Sequence, residues 1–331
     1  MAQPPRSASL AARPAPRSER SIDRSDREFE FTAQDFAEVR RLIYSHAGIS
    51  LSEAKADMVY SRLARRLRAT GLKNFRDYLD RLKSGDEQEW EAFVNALTTN
   101  LTAFFREVHH FDILRDFLKT RRERPITLWS AAASTGEEPY SIAMTAVEAL
   151  GHAADVQILA SDLDTQVLQK AREGIYPMER IARLEEDRQR RFFLKGTGSR
   201  AGLVKVRPQL QDMIRFFQLN LLDAQWPVRG PLDAIFCRNV MIYFDKPTQY
   251  RILQKMKPLL KPDGLLFLGH SEALYHASDL FRLRGQTVYE HADSGYRVKG
   301  TGNGKVSAPL RGAHILTPES VLICLRSSIT Y

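Results

Sequence analysis

Cysteine is nearly absent. Only Cys237 and Cys324 occur in 331 residues. That excludes a disulfide framework, offers no zinc spacing, and leads us to expect a reducing compartment, the cytoplasm. Long apolar runs are missing as well, so insertion into a membrane is not expected. The opening residues lack the apolar middle of a secretory signal. Their Arg- and Ser-rich, acid-poor composition mimics an organelle transit peptide. Pro4, Pro5 and Pro14 disfavour the amphipathic helix such a peptide needs, so 1–27 is expected to be a disordered tail.

What remains is ordinary for a globular protein: 43% apolar and 27% charged residues. The length allows two domains and a full core. A net charge of +9 raises nucleic acid, anionic membrane and acidic protein surfaces as partners. Part of that excess lies in the Arg-rich tail, where solubility accounts for it.

The front of the chain is helical. Phe36, Val39 and Ile43 recur at helical spacing after Thr32, up to Gly48. Ser50-Leu51-Ser52-Glu53 predicts a capping box and a second helix to about residue 69, closed by Gly71. Its apolar face carries Met58, Leu63 and Leu67, and Arg62, Arg65, Arg66 and Arg68 stud the remainder. Further helices are predicted over 74–82, 86–97 and 107–120, which gives an all-α N-terminal domain over 28–120.

Beyond Pro125 the period changes. Strands are predicted over 126–131, 156–160 and 232–239, with helices over 139–150, 165–172 and 247–260. LLKPDGLLFLG then forms a turn and a strand. This alternation implies a parallel sheet with helices on its faces, over 121–293. Residues 192–219 lack a crossover helix and read as a small antiparallel subdomain. Residues 294–331 look like a flexible extension, in which the short apolar run 321–325 has no evident role.

A third scarcity is local. The turn after the first strand, Ser134-Thr135-Gly136-Glu137-Glu138-Pro139, has one glycine and no lysine. A phosphate loop uses several backbone N–H groups and positive charge. Two carboxylates repel phosphate and favour a nucleoside with cationic character. S-adenosylmethionine, with its sulfonium and ammonium, fits. From these residues alone a second reading stays open, in which both acids only complement the helix dipole. Asp162 ends the second strand, where an acid can accept both ribose hydroxyls. NAD would use such an acid too, but its pyrophosphate loop is missing. An N-cap is the alternative, with Asp164 competing for that role.

Asn100, Thr102 and Arg106 lie at the domain junction, where a loop rolling into a helix could aim them into the cleft. From the residues alone, loop polarity and a surface arginine account for them better. Arg238 and Asn239 stand at the mouth of an apolar strand, a ligand-contact position. Tyr243 follows, as a contact or as core.

The segments TTNLTAFFRE, SAAASTGEEPYSIA, SDLD, GTGSRAGLVKVRP, FQLNLL, DAIFCRNVMIYFD, LLKPDGLLFLGHSE and GQTVY occur in order. On them the chain resembles the chemotaxis receptor methyltransferases, the CheR family, from about residue 30 to 292. The resemblance implies a Rossmann-like class I methyltransferase domain with a small antiparallel β-subdomain, behind an all-α domain. It implies S-adenosylmethionine as cofactor, S-adenosylhomocysteine as product, and glutamate carboxylates on chemoreceptors as substrate. Asn100, Thr102, Arg106, Glu137, Asp162, Asn220, Leu221, Arg238 and Asn239 match the cofactor contacts. Within that set Glu137 matches the acid on the ammonium and Asp162 the ribose acid, while Asn220 and Leu221 match the adenine side. Arg106 and Tyr243 match the residues that orient the substrate carboxylate.

The Arg62, Arg65, Arg66 and Arg68 helix resembles the family's receptor-facing helix. The β-subdomain resembles the one that, in some members, adds a receptor's tail peptide as a strand. A glutamate acceptor is already ionised at neutral pH, so neither general base nor metal is expected. A monomer without nucleic-acid partners, associated with membrane receptor arrays through the receptors, completes the reading. An RNA methyltransferase shares the fold but needs base-stacking aromatics, and none stands out. A non-catalytic docking protein could lose Arg106 or Tyr243, and both are present.

Overall fold

Helical spacing in the first third and short apolar runs after Pro125 sort the chain into a helical bundle and a sheet. The computed structural model describes residues 27–152 and 155–293. The expected tail, apart from residue 27, and the extension from residue 294 lie outside the described residues, as does Cys324.

α1 (Ala33–Ala47) opens on a capping box. The Asp35 N–H donates to the Thr32 hydroxyl at 3.1 Å, and the Thr32 N–H donates to Asp35 at 2.9 Å. It closes on Gly48, whose φ of 67° suits a residue without Cβ. α2 (Ala56–Thr70), α3 (Phe75–Lys83) and α4 (Glu87–Leu97) follow, the last two capped by Asn74 and Asp86. Val39, Ile43, Leu63, Leu67 and Phe93 meet in their shared core. Arg66 grips Glu89 through two bonds of 3.0 and 2.8 Å, and Tyr78 donates to the same carboxylate at 2.8 Å. Glu89 is only 4% exposed, so these bonds are what make its burial tolerable.

The capping box expected at Ser50–Glu53 does not form. Glu53–Lys55 is a single 3-10 turn, and Ser52 makes no side-chain cap bond. The cause is tertiary: the Ser50 N–H donates to the Tyr243 carbonyl at 2.9 Å, and Ile49 and Leu51 are buried. Met58, expected in the core, is partly buried, and Val59 takes the fully buried place in α2. α5 (His109–Thr120) buries Phe111, Leu114 and Leu118 against Ile142 and Ala143, in the core of the α/β half. The bundle therefore ends before α5, whereas the helical period predicts a domain that runs to residue 120.

The rest runs β1 (Ile126–Ser130), α6 (Glu137–Leu150), β2 (Val156–Asp162), α7 (Thr165–Glu173), β3 (Ile175–Pro177), α8 (Glu186–Phe192), β4 (Phe193–Lys195), β5 (Leu203–Val206) and α9 (Pro208–Gln211). It continues through β6 (Ile214–Gln218), β7 (Leu232–Phe236), α10 (Lys246–Met256), β8 (Leu260–Phe267), β9 (Phe281–Gly285) and β10 (Val288–His291). The seven-stranded sheet has the order β6-β2-β1-β7-β8-β10-β9. Strands β6, β2, β1, β7 and β8 are parallel, while β10 runs antiparallel to both of its neighbours. From β1 the chain first builds outward through β2 and β6, then returns to the other side with β7. That reversal opens a crevice at the carboxyl ends of the strands. Among the described residues no helix is long and apolar enough to cross a membrane.

The small sheet differs from expectation. Its order is β3-β5-β4, all antiparallel. The run at 214–218, read as part of it, is instead β6, parallel to β2 with Ile214 opposite Ile158. Phe216 sets its ring 6.0 Å from that of Tyr140 on α6, which ties the strand to the main core. The small sheet is thus an insertion in the crossover between β2 and β6.

Gly136 precedes α6 with φ of 99°. A Cβ there would lie 2.8 Å from the Tyr176 hydroxyl and 2.9 Å from the Ala171 Cβ. The glycine therefore serves close packing of the turn on α7 and the small sheet. Gly136→Ala combines a forbidden φ with overpacking and is expected to cost about 3 kcal/mol. Urea unfolding measures it, and a change below about 0.5 kcal/mol would refute the account.

Candidate active site

The crevice continues into a cavity of about 450 Å³ between the bundle and the sheet. The strand ends supply Ala131, Ser134, Asp162 and Arg238, and the bundle supplies Ile49, Leu51 and Met58. Direct bonds hold the two halves together. The Asn220 amide donates to the His46 carbonyl at 2.7 Å, and the Tyr44 hydroxyl donates to Asp245 at 2.6 Å.

Nine sequence-predicted residues line this cavity: Asn100, Thr102, Arg106, Asp162, Asn220, Leu221, Arg238, Asn239 and Tyr243. Glu137 does not line it. Its carboxylate is fully buried, takes a bond from the Thr135 hydroxyl at 2.6 Å, and pairs with Arg180. Of the two neighbouring glutamates, the one on the cavity wall is Glu138. Neighbours on a helix point about 100° apart, so only one of the two acids can face a given ligand. Arg62, Arg65, Arg66 and Arg68 lie outside the lining. Arg62 donates to the Ala96 and Thr98 carbonyls at 3.2 and 2.6 Å and satisfies the end of α4. Arg66 belongs to the buried pair with Glu89.

Asp162 accepts the Ser134 N–H at 2.8 Å and the Asp164 N–H at 3.0 Å. It is 9% exposed, and burial lifts its carboxyl to about 6, against the pull of those two bonds. It is not the N-cap of α7. Asp164 is, accepting from the Gln166 and Val167 N–H groups at 2.9 and 3.2 Å. Asn100 donates to the other oxygen of Asp164 at 2.9 Å, which anchors the junction loop to the same turn.

Arg238 is 4% exposed. It donates to Glu138 at 2.9 Å and to the Arg106 carbonyl, and it lies 3.3 Å from Glu107. Glu138 also accepts the Ser130 hydroxyl at 2.7 Å, and burial pushes its carboxyl up despite Arg238. Burial opposes ionisation of Glu107 as well, but Arg238, His270 and Asn239 outweigh it and hold that carboxyl at about 2. Burial and Arg238 together push His110 down to about 4. Liganding atoms of Glu107, His109 and His110 lie within 4.8 Å of one another, but Arg238 already supplies the counter-charge there.

Arg106 is the contrast. Its guanidinium donates to the Leu101 carbonyl at 2.8 Å and, among the described residues, meets no carboxylate. Strain concentrates at the same place: Phe105, Glu107, Ser134 and Asn239 all hold positive φ, between 49° and 58°. Sequence reasoning missed Glu272. It is 5% exposed and accepts the Gly269, Asn239 and Ile242 N–H groups at 2.6, 2.8 and 3.3 Å, which fixes the turn after β7. Its place in GLLFLGHSE, after an apolar strand, was the available signal.

Two family models match the chain: "CheR methyltransferase, all-alpha domain" over residues 34–98 and "CheR methyltransferase, SAM binding domain" over 100–290. The chain is 56% identical over 270 residues to chemotaxis protein methyltransferase 2 of Pseudomonas aeruginosa, covering 81% of this chain and 96% of the relative. It is 56% identical over 256 residues to the chemotaxis protein methyltransferase of Escherichia coli, covering 77% and 89%. With both domains present in that order around one cavity, the chain belongs to the CheR methyltransferase family and takes S-adenosylmethionine as its cofactor.

Proposed function

We propose that this methyltransferase esterifies glutamate side chains on the cytoplasmic segments of chemoreceptors. The observation that carries the reading is the carboxylate-free guanidinium of Arg106, in the same cavity as Asp162. The cavity suits the cofactor by its chemistry: a buried acid at the end of β2 for two hydroxyls, and the apolar Leu219 and Leu221 for a flat base. Asn100, Thr102 and Asn239 add polar groups around it. Glu137 acts through Thr135 on the loop's shape.

Bound S-adenosylmethionine supplies an electrophilic methyl group, and its sulfonium leaves as a neutral thioether. The acceptor carboxylate, with an ordinary pKa of about 4.3, arrives ionised and loses no proton. The task of the chain is therefore placement and drying. Arg106 can hold one carboxylate oxygen and leave the other free to react. The Tyr243 hydroxyl has no protein partner among the described residues and can donate to the same group. Too tight a grip on the ionised acceptor would slow transfer, so Arg106 orients more than it activates. Arg238, neutralised by two acids, shapes the wall and is not offered to the substrate.

Outside the cavity, among the described residues, the exposed Arg65 meets no carboxylate and Arg68 pairs only with the exposed Glu28. These two are the arginines of α2 free to meet an acidic receptor surface. The outer strands β3 and β4 each keep an open edge in the small sheet, which suits addition of a tail peptide as a strand.

The direct test uses methyl-labelled cofactor, receptor-containing membranes and mild base. Label on a receptor-sized band, released as methanol, is expected. Base-stable label, or label on RNA, would refute the reading. Arg106→Ala is expected to lower transfer about 100-fold with cofactor binding retained. Calorimetry showing that binding is abolished in a folded variant would move Arg106 to the cofactor. Asp162 must be ionised to accept two hydroxyls. Cofactor affinity should therefore be full above about pH 6 and fall through that value by up to about tenfold per pH unit, with a proton released on binding. A flat affinity between about pH 5 and 7.5 would remove an ionised Asp162 from the ribose contact.

A further inference from the structure

Two large apolar side chains stand exposed at the lip of the cavity. Leu101 is 77% exposed and Ile242 54% exposed, yet both line the space that holds Arg106 and Tyr243. Scattered exposed leucines need no explanation. These two are not scattered, and their backbones are pinned. The Leu101 carbonyl accepts from Arg106 at 2.8 Å, and the Ile242 N–H donates to the buried Glu272. One comes from the junction loop and the other from the turn after β7, so they approach the site on separate supports.

We propose that Leu101 and Ile242 are specificity-determining residues that seat the apolar neighbours of the target glutamate on a protein segment. The inference rests on the glutamate reading above. A carboxylate that loses its charge on methylation reacts best where water has been removed, and Arg106 alone cannot remove it. An apolar lip does so only when an apolar surface covers it. A free amino acid would leave both side chains wet, whereas a protein segment covers them.

Initial rates of methyl transfer across a range of receptor concentrations test this, with wild type, Leu101→Ser, Ile242→Ser and Leu101→Met. Each serine variant is expected to raise the receptor KM about tenfold, with cofactor affinity by calorimetry and circular dichroism unchanged. Leu101→Met should stay near wild type, because it restores apolar area without the same shape. Replacing the target's apolar neighbours by serine should raise KM for wild type and add little in the serine variants. An unchanged receptor KM in both serine variants would overturn the inference. So would a KM that rises only in step with lost cofactor affinity, since the residues would then belong to the cofactor wall. Failure of the wild type to label any receptor would overturn the glutamate reading itself, and this inference with it.

Discussion

The site depends on one buried guanidinium. Arg238 joins the end of β7 to the first turn of α6 through Glu138, and to the junction loop through Glu107 and the Arg106 carbonyl. Taking an arginine out of water is costly unless opposite charge and hydrogen bonds come with it, and here two acids and a carbonyl do. The tie is reciprocal. Without Arg238 both acids would be left facing each other's charge in a dry wall. The strained backbone at Phe105, Glu107 and Asn239 is tolerable because this network over-determines it.

That network also divides labour between two arginines of the same cavity. Arg238 is neutralised and immobile. Arg106 meets no carboxylate among the described residues, and its own carbonyl is what Arg238 holds. Arg106 is thus positioned through its main chain while its side chain stays available. Glu272 does the equivalent for the opposite lip, since one carboxylate gathers three backbone N–H groups and places Asn239, Ile242 and Tyr243 together.

Much of this was legible in the chain. Period alone placed the bundle and the α/β half, and the acid read at the end of β2 is there and lines the cavity. The residues carried over by resemblance converged on one cavity, with Glu137 as the exception. What escaped had tertiary causes. Helix phase separates Glu137 from Glu138, but which of them faces the ligand depends on Arg180, which the fold brings in from the small sheet's side. The turn at Ser50 obeys a carbonyl far along the chain instead of its own capping pattern. The run at 214–218 looks like its antiparallel neighbours in sequence, and only the open edge of β2 decides that it pairs in parallel. Arg62 and Arg66 read as surface charge, yet their partners lie on α4.

The cavity's walls come from both halves of the chain, with Ile49, Leu51 and Met58 on one side and the strand ends on the other. A molecule filling it is therefore a fastener as well as a reagent. Whatever free energy its binding contributes is added to the work of parting the bundle from the sheet. The bundle thereby inherits a dependence on methyl-donor supply, added to direct contacts between the halves such as Asn220 to His46, Tyr44 to Asp245 and Leu163 against the bundle core.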